Sequence, residues 1–273
     1  FQNLELRNGI WYSKNISGIS FPEDGYDRLY SIEENSFWYS HRNNCIIETV
    51  KHFSPRSVIY DVGGGNGYVA SGLEKAGLKT VLIEPGQTGV LNAKKRGLTN
   101  IVCSTLEDIN LKEGTLDAIG IFDVLEHIKE DGSFINLLNK YLKPGGMLYI
   151  TVPAFKFLWS KEDEAAGHYR RYTLKLLENI LKKNGFETMY STYIFSILPV
   201  PVFFFRTITS LFGISKNPND LKNQQHAHEA KKGLTNNFLE KIWKWELSKI
   251  RNTKKISIGG SCLLAARKNS VAN

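Results

Sequence analysis

Residues 58–84 constrain the fold of this chain more than any other stretch. Ile59-Tyr60-Asp61-Val62 reads as a buried strand that runs into Gly63-Gly64-Gly65-Asn66-Gly67, followed by a short helix from Tyr68. A second strand, Thr80-Val81-Leu82-Ile83, then ends in Glu84. Glycines let a backbone take positive φ and approach a ligand closely. A carboxylate at the end of the next strand suits a ribose, whose vicinal hydroxyls can both donate to it. Strand, glycine turn, helix, strand and acid together predict the adenosine-binding half of a doubly wound α/β sheet.

The glycine spacing discriminates among adenosine cofactors. A dinucleotide site needs glycine at the first, third and sixth positions. Counted from Gly63, the third position is Gly65 but the sixth is Tyr68. Counted from Gly65, Gly67 and the tolerated Ala70 fit, but the turn then starts late after the strand. What the chain presents is Asp61-x-Gly63-x-Gly65-x-Gly67, with a carboxylate just before the turn. This resembles the first motif of the class I S-adenosylmethionine-dependent methyltransferases. That family holds no pyrophosphate. It holds a methionine moiety whose ammonium group wants an acid and backbone carbonyls nearby, and Asp61 suits that need. The resemblance implies S-adenosylmethionine as cofactor and S-adenosylhomocysteine as product. Its implied contacts here are Asp61, Gly63, Gly65, Asn66 and Gly67, with Glu84 and Pro85 on the ribose side.

Three further stretches resemble the same family, in the same order. Asn100 to Asp108 resembles the third strand and the turn beside the adenine, implying contacts from Ser104, Thr105 and Leu106. Many relatives carry an acid where Ser104 or Thr105 stands, so this sequence departs from the pattern there. Leu116 to His127 resembles the fourth strand with its Leu-Glu-His ending, and brings Phe122 and Asp123 to the cofactor. Tyr141 to Pro153 resembles the turn and strand that follow. The resemblance covers residues 57–153. It implies a Rossmann-like, doubly wound, seven-stranded and mostly parallel sheet with an antiparallel last strand. Around that core the expected units are lid helices in 1–55, the cofactor-binding core in 56–192, an insertion between strands six and seven in 193–254, and the last strand with its tail in 255–273.

In the N-terminal unit a helix is expected from Ser36 to about His52, with Phe37, Trp38 and Arg42 as lid candidates or, for the two aromatics, core. Thr173 and Gly185 bracket another helix over 173–184, and Phe186 to Tyr193 reads as a sixth strand. Residues 237–251 place Phe238, Leu239, Ile242, Trp243 and Ile250 on one helical face.

The acceptor side is signalled by Leu158 to Tyr172. This loop follows the fifth strand at its carboxyl end, where ligands bind in open α/β sheets. Within it His168, Arg170, Arg171, Glu162, Asp163, Glu164, Tyr169 and Tyr172 crowd together. His168 is the first candidate base and His127 the second. Trp159, Arg170, Arg171 and Tyr172 are candidate substrate contacts. The arginines are suited either to a substrate carboxylate or phosphate or to pairing with Glu162, Asp163 or Glu164. The loop resembles that of bacterial methyltransferases of uncertain acceptor in sugar or lipid-linked glycan pathways.

Charge sharpens the picture once it is located. Between Gly213 and Asn273 stand twelve Lys and Arg against four Asp and Glu; the rest of the chain is balanced. Upstream of that surplus runs an apolar stretch, Tyr193 to Phe205, broken by Pro199 and Pro201 and too short to cross a bilayer. It is readable as core, as a tunnel for a lipid-linked acceptor, or as a surface on anionic membrane beside the lysines. Nucleic acid ranks behind these, because no binding module accompanies the basic tail. Cys45, Cys103 and Cys262 are few and odd in number, which suits a reducing cytoplasm and argues against a cysteine metal framework; no metal is expected. The chain opens at Phe1 rather than methionine, consistent with trimming, and shows no signal peptide. The expectation is a cytoplasmic methyltransferase, peripheral to the membrane if the basic face is used, acting on a small-molecule or lipid-linked acceptor. The sequence leaves oligomeric state open. Two alternatives stand beside it: an NAD(P)-dependent oxidoreductase and a non-catalytic cofactor-binding module.

Overall fold

The computed structural model describes residues 4–14, 23–199 and 234–270. The described strands are β1 (Leu4–Arg7), β2 (Ile10–Ser13), β3 (Val58–Val62), β4 (Lys79–Ile83), β5 (Ile101–Cys103), β6 (Leu116–Phe122), β7 (Leu142–Pro153), β8 (Phe186–Ile194) and β9 (Ser261–Lys268). They form one sheet in the order β1-β2-β5-β4-β3-β6-β7-β9-β8. Strands β3 to β7 pair in parallel, and β9 runs antiparallel between β7 and β8. The order reverses on either side of β3, so ligands belong at the carboxyl ends of β3 and β6.

The sheet is wider than the seven strands expected. A hairpin, β1 and β2, caps the edge by pairing β2 in parallel with the short β5. Its turn is Asn8-Gly9, both with positive φ (49° and 75°), the chemistry a two-residue hairpin demands. Ile10 is fully buried on the inner face. The N-terminal region is therefore part strand rather than only lid helices.

Alternating side chains along each strand feed two layers. In β7, Leu148, Ile150 and Val152 face one core with Ile135, Leu138, Leu177 and Leu181, which belong to α5 (Asp131–Tyr141) and the later α7 (Leu174–Lys183). Met147 and Tyr149 face the other, with Cys45, Ile46 and Val50 of α2 (Phe37–Phe53) and Val69 and Leu73 of α3 (Tyr68–Lys75). Ser36 and Thr173 cap α2 and α7, accepting from the Tyr39 and Leu176 amides. Between β4 and β5 lies α4 (Gln87–Lys95), while α1 (Glu23–Glu33) lies across α4 and the glycine turn.

After the insertion, α8 (Leu234–Arg251) docks on α2, as the apolar spacing anticipated. The buried Glu246 carboxylate accepts from the Phe195 and Ser196 amides and lies 2.9 Å from the His41 ring nitrogen. Phe37 stacks on Trp243 at 4.8 Å, and Trp38 on Phe195 at 3.7 Å. These two aromatics fasten α2 to α8 and to the chain leaving β8. The apolar run beyond Pro199 and most of the polar stretch after it lie outside the described residues. Among the described residues no helix is long and apolar enough to cross a membrane.

Candidate functional site

The cofactor half is assembled at the carboxyl ends of β3 and β4. Strand β3 delivers Asp61, and the chain then turns through Gly63, Gly65 and Gly67 with φ of 72°, 55° and 69°. Side chains rarely adopt such angles. At Gly65 a Cβ would meet nothing within 4 Å, so open space adjoins the turn; at Gly67 it would strike Ala93 and Leu98 where α4 crosses. Asp61 is fully buried below the turn, and neither carboxylate oxygen has a hydrogen-bond partner. Burial pushes its pKa up to about 7; the Arg42 charge opposes the rise and Glu84 adds to it. A buried carboxylate left without partners calls for an explanation. A ligand bearing a cation supplies one.

Glu84 stands at the end of β4, with one oxygen accepting from the Gly65 amide (2.8 Å) and the other from the Gly86 amide (2.7 Å) and the Tyr26 hydroxyl (2.8 Å). Tyr26, from α1, is buried against Gly86 and Gly89. Asn66 is also tied to α1, donating to the Tyr26 carbonyl and to Glu33 while accepting from Asn92. Pro85 follows Glu84 directly. Ser104 and Leu106 are buried beyond β5, Ser104 with an unpartnered Oγ, and Thr105 bonds Asp108 in a local turn. Phe122 ends β6, its ring over Gly120. Asp123 follows with φ of 58° and accepts from Thr151 (2.9 Å). It also pairs with Arg42 of α2.

The second half closes over β6 and β7. Phe155, at a φ of 58° unusual for a bulky residue, donates its amide to the Tyr172 carbonyl, and Tyr172 returns its own to Pro153. These bonds pinch residues 154–172 into a loop containing the short α6 (Lys161–Ala165), which opens with a Ser160–Asp163 capping box. Asp163, 1% exposed, is the hub. It accepts from Arg171 Nε and Nη2 (2.8 and 3.0 Å), from His168 Nδ1 (2.8 Å) and from the Ser160 amide. Burial alone would raise its pKa, but the His168 and Arg171 bonds hold it below the usual carboxylate value.

The histidines meet across this closure. His127, on the turn after β6, lies edge-to-face with His168 at 4.8 Å between ring centres. Burial and the neighbouring His168 push its pKa down to about 4, so it is neutral at pH 7. Next to it, Glu126 is 1% exposed with an unpartnered Oε2, and burial lifts its pKa well above the carboxylate range.

Of the other loop candidates, Arg171 pairs with Asp163 as one sequence reading allowed, but Arg170 pairs with Asp131 of α5 rather than with its loop neighbours. Trp159 donates to Glu164 (3.3 Å) and stays near the surface. Tyr172, read as a substrate contact, instead lies fully buried in the core, its hydroxyl bonding Asp131 and the Leu125 carbonyl. A tyrosine so enclosed cannot reach a substrate. The sequence reading named neither Tyr26 nor Asp163 alone as pivotal, and it quoted Glu126 without a role. The capping spacing of Ser160 and Asp163 was the available signal for one of these.

Comparisons with known proteins agree with the geometry. Residues 40–191 match the family described as Methyltransferase domain. A probable S-adenosylmethionine-dependent methyltransferase of Mycolicibacterium smegmatis is 20% identical over 176 residues, which is 63% of this chain and 68% of that protein. The ubiquinone biosynthesis O-methyltransferase of Nitrobacter winogradskyi is 30% identical over 95 residues, 33% of this chain and 36% of the relative. Among solved structures, a methyltransferase of Thermotoga maritima superposes with a TM-score of 0.55 at 17% identity, covering 90% of this chain and 95% of that one. At that identity the superposition speaks for the fold alone. The domain match decides between the two cofactor readings, and the unpartnered Asp61 and the open glycine turn fit the group it implies. The chain belongs to the class I S-adenosylmethionine-dependent methyltransferases.

Proposed function

We propose that this protein transfers a methyl group from S-adenosylmethionine to a hydroxyl oxygen of a small-molecule or lipid-linked acceptor. The observation that carries the reading is the combination, at the carboxyl ends of neighbouring inner strands, of the unpartnered Asp61 below the glycine turn with the oriented histidines beyond β6 and β7. The O-methyltransferase relatives support oxygen as the acceptor atom. The apolar run from Tyr193 and the basic surplus after it support a lipid-linked molecule.

Asp61 meets the ammonium of the methionine moiety, and Glu84 takes the ribose hydroxyls. Gly63, Gly65, Asn66 and Gly67 let the backbone come close, Pro85 and Phe122 flank the nucleoside, and Ser104, Thr105 and Leu106 bound the adenine. Arg42 and Asp123 close the methionine end. When bound, S-adenosylmethionine supplies a methyl group already activated on sulfur, so the protein's task is alignment and exclusion of water. His168 is oriented by Asp163 through Nδ1, and His127 stands beside it. Both bear on the acceptor hydroxyl. Arg170, partly exposed at the loop, and Trp159 guide the acceptor's polar part.

Titration with S-adenosylhomocysteine, followed by product release across hydroxyl and amine acceptors of increasing tail length, tests the reading. Tight binding with turnover of hydroxyl acceptors is expected. A folded sample that does not bind S-adenosylhomocysteine overturns the cofactor assignment; turnover of amines alone overturns the oxygen acceptor.

A further inference from the structure

The turn after β6 and the loop after β7 bring three metal-ligating groups together. The carboxylate of Glu126 and one ring nitrogen each of His127 and His168 lie within 4.8 Å of one another. We propose that Glu126, His127 and His168 form a site for a first-row divalent cation of the zinc class.

Three features favour a ligand site over a chance cluster. The first is that each histidine is oriented by a partner outside the trio. His168 bonds Asp163 through Nδ1, and His127 bonds the Gly167 carbonyl, so in each ring one nitrogen is committed to a partner outside the trio. Metal-bound histidines are held in this way, with the second nitrogen on a carboxylate or carbonyl. Asp163 is fixed in its turn by two bonds from Arg171 and by the Ser160 amide. The second feature is Glu126 Oε2, enclosed and without a partner. A buried polar oxygen without a partner calls for an explanation, and a bound cation supplies one. The third is access: His127 and His168 are only partly buried, which leaves an approach from solvent and open positions for other ligands.

The donor set fits the cation. Two imidazoles and one carboxylate, with positions left open, are a zinc-type catalytic set. Bonds of about 2.1 Å hold such ligands about 3 to 4 Å apart, so the trio must draw in by about 1 Å.

This inference deepens the proposed function and rests on it for its role. A cation here takes an acceptor hydroxyl as a further ligand and lowers its pKa, as it does for water. The hydroxyl proton leaves to solvent. The oxygen forms its bond to the methyl carbon as the carbon–sulfur bond breaks, and that electron pair stays on sulfur.

The test uses untagged, chelator-stripped protein saturated with S-adenosylhomocysteine and titrated with cobalt(II). We expect visible d–d absorption that saturates at one equivalent and that zinc abolishes. Glu126→Gln and His168→Ala should each weaken cobalt binding at least about 10-fold. Asp163→Asn, which removes a partner of His168 and no ligand, should weaken it about 10- to 100-fold. S-adenosylhomocysteine titration of the same samples reports folding and the cofactor reading separately. Absent d–d bands in protein that binds S-adenosylhomocysteine overturn the metal site and leave the cofactor assignment standing. So does an unchanged cobalt affinity in folded Glu126→Gln.

Discussion

The two halves of the site are built in opposite ways. The cofactor side comes from one short span of chain, strand to turn to strand, in which Asp61 and Glu84 sit 23 positions apart and are brought together by adjacent parallel strands paired in register. The acceptor side draws Glu126 and His127 from one turn and Asp163, His168 and Arg171 from a loop some forty residues on, and holds them with side-chain bonds. Its geometry depends on a hub, Asp163, whereas the cofactor side depends on backbone. The backbone-built half tolerates loss of single side chains as a scaffold but not as a ligand cradle. The hub-built half loses its geometry when one carboxylate goes.

The largest expected effect separates the halves outright. Glu84→Ala removes the acceptor of two backbone amides and the group assigned to the ribose, so S-adenosylhomocysteine affinity by calorimetry should fall about 100-fold or more. Asp61→Ala should do likewise. If either leaves affinity intact, the cofactor side is not built as described. Next comes the opposite side. His168→Ala should lower kcat/KM about 100-fold or more while leaving S-adenosylhomocysteine affinity within about threefold. A parallel loss of affinity would show that the halves are not independent.

A pH series sharpens the contrast further. The pKa of Asp61 is raised to about 7 by burial, so below that pH the empty site holds a neutral acid. An ammonium ligand favours the ionised form and must expel the proton. Affinity therefore rises with pH through 7 and levels off above it, with about a tenfold deficit at pH 6. Asp61→Asn should bind more weakly and lose this dependence. The same raised pKa has the opposite sign for folding: between about pH 4 and 7 the folded state retains a proton that the unfolded state has lost. That contribution to stability fades as pH rises.

The smallest effect concerns Tyr26. Its hydroxyl occupies the Glu84 oxygen that a ribose hydroxyl would use, so Tyr26→Phe should tighten S-adenosylhomocysteine binding several-fold, as read by calorimetry. Weaker binding would mean that the tyrosine helps hold the cofactor instead of competing with it.

These contrasts explain what was legible in the sequence. Asp61, the glycines and Glu84 were readable because a tight turn between parallel strands restricts both residue type and spacing. The helix capped by Thr173 and the antiparallel last strand were readable for similar local reasons. Tyr172 was misread because its polar neighbours in sequence are not its neighbours in space; the Ala154–Tyr172 bridge turns it inward. The hairpin at Asn8-Gly9 carried a strong signal and was passed over in favour of helices. Arg170 found Asp131 across α5, a partner that no local pattern announces.

The place of β9 has a consequence for how the chain reaches this state. It is an inner strand, bonded on both sides, and it enters the sheet only after the long insertion and α8. Until it arrives, β7 and β8 both present open edges, and Leu263, Leu264 and Ala265 lack the cores that bury them. Such pairings are slow because distant segments must meet, and open edges invite association with other chains. During synthesis the glycine-turn half can take shape early, while the sheet beneath the acceptor loop stays incomplete until β9 is threaded in between β7 and β8.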